Sequence, residues 1–77
     1  MARITHLNRV RKERQRVHQV TESNYDVLVV DAARYLQIET LGTSDREKVG
    51  VVSQIFQFDQ AAIAELKRIL AAEFPDL

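Results

Sequence analysis

The sequence predicts a small α+β protein: an antiparallel sheet of three to four strands, a C-terminal helix packed on it, and a basic, helical N-terminal segment. Three observations lead there. Residues 35 to 40, YLQIET, alternate strictly between apolar and polar, the mark of a strand with one face buried. The hydrophobic period changes from two to 3.6 residues at Asp59. Finally, residues 1 to 20 carry six basic residues against the single acid Glu13, a balance of +5, whereas residues 21 to 77 carry five basic residues against ten acids, a balance of −5.

Composition bounds the class. The 77 residues form one domain near the lower size limit for a chain that buries its own core. At 45% hydrophobic the chain is too apolar for disorder. The absence of cysteine removes disulfides, thiol catalysis and most zinc sites, and suits the cytosol. No apolar run approaches the ~18–20 residues of a membrane span. The start MARITHLNRVRKERQR lacks the apolar stretch of a secretory signal. The expectation is a soluble cytoplasmic protein without membrane contact. We divide it into a basic segment (1–20), an antiparallel sheet (21–58) and a helical segment (59–75).

In chain order, the N-terminal segment is the least decided. As a helix, Ile4, Leu7, Val10 and Val17 make a loose stripe interrupted by Arg3, Arg11 and Arg14. As a strand, RQRVHQV places Arg14, Arg16, His18 and Val20 on one face. A helix over residues 5 to 15 passing into a short strand is the preferred reading. Residues 25 to 30, YDVLVV, are β-branched and aromatic, and with residues 35 to 40 they suit an antiparallel hairpin joined by the four residues DAAR. In the second strand Leu36, Ile38 and Thr40 share one face, and Tyr35, Gln37 and Glu39 the other. Residues 51 to 58, VVSQIFQF, read as a third strand. Val52, Phe56 and Phe58 fall on one face and Val51 and Ile55 on the other, so either both faces are partly covered or a bulge shifts the phase. Apolar residues on both sides of this strand need two covers, and one helix supplies one. Together with the small size, this predicts a homodimer.

Asp59 can cap the helix that follows by accepting from free amides of its first turn. Ala62, Ile63, Leu66, Ile69, Leu70 and Phe74 lie within an arc of about 140° on the helical wheel. Pro75 disfavours helical geometry at Phe74 and stops the helix.

The residues that carry chemistry are mostly cationic. RVRKERQR, residues 9 to 16, holds five basic residues in eight, four of them arginine. Its plainest reading is a solvated or body-docked face. The sharper reading is polyanion binding, in which arginines neutralise phosphates and displace counterions, the guanidinium fork suiting bidentate contact. The loop GTSDREKVG has no phosphate-loop spacing. It reads either as a solvated connection with Gly42 and Gly50 allowing positive φ, or as a finger offering Arg46 and Lys48 to phosphates beside Asp45 and Glu47. His6 and His18 lack acidic or histidine partners at helical spacing, so no metal site is expected. The serines lack a His-plus-acid set, and the acids are not paired as general acid–base work requires. No enzyme activity and no cofactor are expected. Tyr35, on the polar face of its strand, offers a ring for stacking on a base or for packing a cross-strand neighbour.

The run YLQIETLGTSDREKVGVVSQIFQFDQAAIAELKRIL, residues 35 to 70, resembles the small single-stranded-DNA-binding transcriptional coactivator family, bacterial members included. Tyr35 leads a strand, Lys48 stands two places before Gly50 at the end of a charged loop, and Asp59 and Leu66 mark the helix as in that family. The resemblance implies four curved antiparallel strands and a helix, dimerising through the helices, with the sheet and its loops gripping single strands. The arginine-rich N-terminal segment, the extra length around Val51 to Gln54 and the acid Glu39 depart from the family pattern.

Two functional readings follow. The first is a non-enzymatic, dimeric, transcription-associated module that binds single-stranded DNA through Arg11, Lys12, Arg14, Arg16, Arg34, Tyr35, Arg46 and Lys48. The second is a small regulator or inhibitor whose basic segment docks an acidic protein partner.

Overall fold

The computed structural model describes residues 1–42 and 52–77. Among these residues it has four strands and one helix: β1 (Ala2–Ile4), β2 (Ser23–Val30), β3 (Ala33–Leu41), β4 (Val52–Phe58) and α1 (Gln60–Glu73). The strands form one sheet in the order β1-β4-β3-β2. The expected α+β class holds, but the sheet is mixed: β2–β3 and β3–β4 are antiparallel, while β1 runs parallel to β4.

The β2–β3 hairpin turns more tightly than the sequence suggests. Val30 pairs with Ala33, leaving a two-residue loop of Asp31 and Ala32 rather than four residues. Both carry positive φ, 50° and 64°, as the type I′ turn that matches the strand twist requires. The turn absorbs only two residues, so Ala33 and Arg34 extend β3.

The ambiguous parity of the third strand resolves as a bulge. Thr40 pairs with Gln54 and Leu41 with Val52, which leaves Ser53 as an extra residue. The Ser53 hydroxyl donates to the Thr40 carbonyl at 3.2 Å and lies 2.9 Å from the Thr40 hydroxyl. From Gln54 onward the register is regular. Leu36 opposes Phe58 and Val27, and Ile38 opposes Phe56 and Tyr25. Directly opposed residues share a face, so these six make one apolar face. Tyr35, Gln37, Glu39 and Gln57 lie on the other, where Gln57 Nε2 donates to Gln37 Oε1 at 2.9 Å and Asn24 Nδ2 to Glu39 Oε1 at 3.1 Å.

Helix α1 packs against β3 and β4. Asp59 caps it as expected, its carboxylate accepting from the Ala62 amide at 3.0 Å. Phe74 ends it one residue before Pro75, its amide still donating to the Leu70 carbonyl at 2.9 Å. Ala62 is the only fully buried side chain among the described residues; Ile63, Leu66, Leu36, Ile38, Phe56 and Phe58 are half-buried. No helix is long and apolar enough to cross a membrane among the described residues.

The expected N-terminal helix over residues 5 to 15 is absent. The chain begins as the short strand β1 and then runs without regular structure to Glu22. Topology supplies the physical reason for so long a connection. β1 and β2 run in the same direction at opposite edges of the sheet. The chain must therefore return the length of the sheet and cross a width of about 14 Å, three strand spacings. The loose apolar stripe could have made this crossover helical only by burying itself. Instead Val10, Val17 and Val20 stand in solvent at 67%, 99% and 94% exposure, and Arg11 and Arg14 break the stripe.

Candidate nucleic-acid interface

The crossover is an arm fastened at both ends. At its root, the Asp59 amide donates to the Ile4 carbonyl at 3.1 Å, continuing the β1–β4 ladder by one bond. Glu65 on α1 then takes two contacts: Oε2 accepts from the Leu7 amide at 2.6 Å, and Oε1 lies 2.7 Å from His6 Nδ1. Arg9 completes the fastening with a 2.9 Å ion pair to Glu73 on the last turn of the helix. At the far end, the Thr21 hydroxyl donates to the Leu41 carbonyl at 2.6 Å, and the Leu41 amide donates to the Glu22 carbonyl at 3.0 Å.

These contacts shift two carboxyls. The Leu7 amide foremost, and then His6, hold Glu65 below the usual carboxylate range against the opposing effect of desolvation. The Thr5 hydroxyl and the Ala62 amide do the same for Asp59. Both groups favour their charged forms because the hydrogen bonds they accept are stronger to an anion.

Between the two fastenings the chain is exposed from Asn8 to Val20. Arg11, Lys12, Arg14 and Arg16 make no ion pair among the described residues. The two possible fates of the basic segment are thus divided along its length. His6, Leu7 and Arg9 dock on the acidic flank of α1, and the four cations beyond them face solvent. Arg16 and His18 line a cleft of about 790 Å³ with Thr40, Gly42, Ser53 and Gln54. That cleft lies at the end of the sheet from which residues 43–51 depart and return.

The sequence-derived site does not assemble as a whole. Arg34 and Tyr35 sit at the hairpin end of β3, some six residues or about 20 Å along the strand from Leu41. They also point to opposite faces. Arg34 shares the helix side with Leu36, where it borders a second cleft with Lys67, Ile63 and Val27. Tyr35 lies on the helix-free side, half-buried, opposite Leu28. Arg46 and Lys48 lie outside the described residues. Of the arm cations, Arg16 lines the cleft, whereas Arg34 and Tyr35 stand apart from it at the other end of β3.

Some polar groups of the cleft escaped sequence reasoning. The sequence gives no reason to join His18, Thr40, Ser53 and Gln54 in one site. The alternation Arg14, Arg16, His18 was the available signal, since it already set His18 beside the arginines. The Ser53 bulge, which brings its hydroxyl against Thr40, has no local signature of that kind. No family model, curated protein or solved structure matches the chain.

Proposed function

We propose that this protein is a non-enzymatic nucleic-acid-binding module, acting as a homodimer in a transcription-associated role, whose arm takes a single DNA strand along Arg11, Lys12, Arg14 and Arg16. One observation carries the reading: four cations stand unpaired among the described residues on an exposed arm that is fastened at both ends. An arm held this way loses less freedom on binding than a loose tail, so less of the phosphate attraction is offset by ordering. The cleft at the arm's end offers Arg16 with the hydroxyls of Thr40 and Ser53. Among the described residues no acidic side chain lines that cleft. Arg46 and Lys48 belong to this reading through their chain position next to Gly42. Arg34 and Tyr35 form at most a separate contact around the hairpin end.

The test is binding of a fluorescent oligo-dT over a range of salt. Each phosphate contact on a single strand adds about 0.7 to the slope of log affinity against log salt. Arg14→Ala with Arg16→Ala should flatten that slope by roughly 1.4. Tyr35→Ala should leave the slope unchanged; a loss of ~1–3 kcal/mol would bring that face into the site. A wild type that fails to bind at low salt refutes the reading. The second reading, docking of an acidic protein, has the Arg9–Glu73 pair in its favour, since there an arm arginine already meets a helix carboxylate.

A further inference from the structure

The cleft at the end of the arm carries three hydroxyls among the described residues, those of Thr21, Thr40 and Ser53. Their hydrogen-bond partners decide what the cleft can bind. A hydroxyl has one hydrogen to donate and two lone pairs that accept. The Thr21 hydrogen goes to the Leu41 carbonyl at 2.6 Å. Ser53 Oγ lies 3.2 Å from the Thr40 carbonyl, which can only accept, so the Ser53 hydrogen serves that contact. The 2.9 Å contact between the Thr40 and Ser53 hydroxyls then takes its hydrogen from Thr40. All three hydrogens are used within the protein, and only oxygen lone pairs remain for a ligand.

Such a wall disfavours phosphate, whose oxygens are themselves acceptors. It suits a ligand edge that brings N–H groups. Arg16 lines the same cleft and is a donor only, so an anion site adjoins a site for donors. A nucleotide has both parts, a phosphate for the guanidinium and a base with N–H groups on its edge. The cleft volume of about 790 Å³ falls within the range of roughly 300–1,000 Å³ for small-molecule sites. The bases differ in what they bring. Guanine alone sets two donors side by side on its pairing edge, the N1–H and the 2-amino group. Adenine and cytosine set an amino group beside an acceptor nitrogen, and thymine holds its N–H between two carbonyl oxygens. In a single strand that edge is free. The Gln54 amide, also on the cleft wall, can donate to the guanine O6 beside the N1–H.

We propose that this cleft reads one base of the bound strand and selects guanine, whose N1–H and 2-amino group donate to the hydroxyl oxygens of Thr21, Thr40 and Ser53 while Arg16 holds the adjoining phosphate. The inference rests on the nucleic-acid reading above. It adds a base preference to contacts that phosphates alone would leave indifferent to sequence.

The experiment measures the affinity of the full chain for oligo-dT and for the same strand with one central deoxyguanosine, deoxyadenosine or deoxyinosine. The deoxyguanosine strand should bind about tenfold or more tighter than the deoxyadenosine strand. Deoxyinosine keeps the N1–H but lacks the 2-amino group, and should fall between them. Thr40→Val and Ser53→Ala each remove an acceptor and should bring the guanine-to-adenine ratio toward one. A ratio of two affinities measured on one variant is insensitive to partial loss of folded protein, so it separates a missing acceptor from a damaged bulge. A wild type that binds all four strands equally overturns the guanine reading and leaves the phosphate contacts of the arm standing. One that binds none of them removes both. A guanine preference that survives both substitutions overturns the assignment to this cleft.

Discussion

Replacing Ala32 by glycine should stabilise the protein. Ala32 holds φ at 64° in the two-residue turn between β2 and β3. A residue with a β-carbon in that region costs roughly 1–2 kcal/mol, because Cβ crowds the following carbonyl oxygen. Glycine removes the crowding but enlarges the unfolded ensemble, which offsets about 0.4–1 kcal/mol. The difference leaves a net gain of about 0.5–1 kcal/mol. For a domain of 60–100 residues each kilocalorie moves the melting midpoint by about 4–8 °C, so a rise of roughly 2–8 °C is expected. Asp31, at φ 50°, should gain less from glycine, because a short polar side chain tolerates this region through local hydrogen bonding. An exposed helical position supplies the opposite control: Ala61→Gly should lose roughly 1 kcal/mol. Urea melts of the three variants at one protein concentration suffice. If Ala32→Gly leaves the midpoint unchanged or lowers it, the turn is not of the primed type and the register of the hairpin is wrong.

Further expectations concern the helix and the arm. Leu66 lies on the sheet-facing stripe but is only half-buried, so Leu66→Ala should cost about 1–2.5 kcal/mol, half the usual range for a fully buried leucine. A loss below ~0.5 kcal/mol in denaturant melts would place it among ordinary surface positions. Glu65→Gln keeps the shape of the fastening and removes its charge, so trypsin should cut after Arg9 faster than in the wild type; equal rates would show that Glu65 does not hold the arm. Glu65 and Asp59 are both held below their ordinary values of 4.5 and 3.8. Their contribution is therefore complete above those values and is lost as pH falls through the lowered ones. The Leu7 amide resonance should follow Glu65, with a midpoint below 4.5; a midpoint at or above it would contradict the hydrogen bond.

What the sequence determined by itself was local. The alternation of residues 35 to 40, the period change at Asp59 and its capping carboxylate all act within a few residues, and β3, α1 and the N-cap follow from them. A bulge was legible as one of two ways to reconcile the parity of residues 51 to 58, but its place at Ser53 was not. The arm's cations were legible too, because charge density needs no fold. Tertiary structure alone decided where they go. A three-residue strand such as β1 is too short to be read from pattern, and it exists because Ile4 finds Phe58 across a parallel ladder. That pairing fixes the start of the chain at one edge of the sheet while β2 occupies the other, so residues 5 to 22 must cross over between them. The same long-range geometry parted Arg34 and Tyr35 from the arm, for a pleated strand sends neighbouring side chains to opposite faces. It also brought Glu65 and Glu73 beneath His6, Leu7 and Arg9, some sixty residues away in sequence. Contacts of that separation depend on how the strands order themselves, and no short stretch of sequence carries that information.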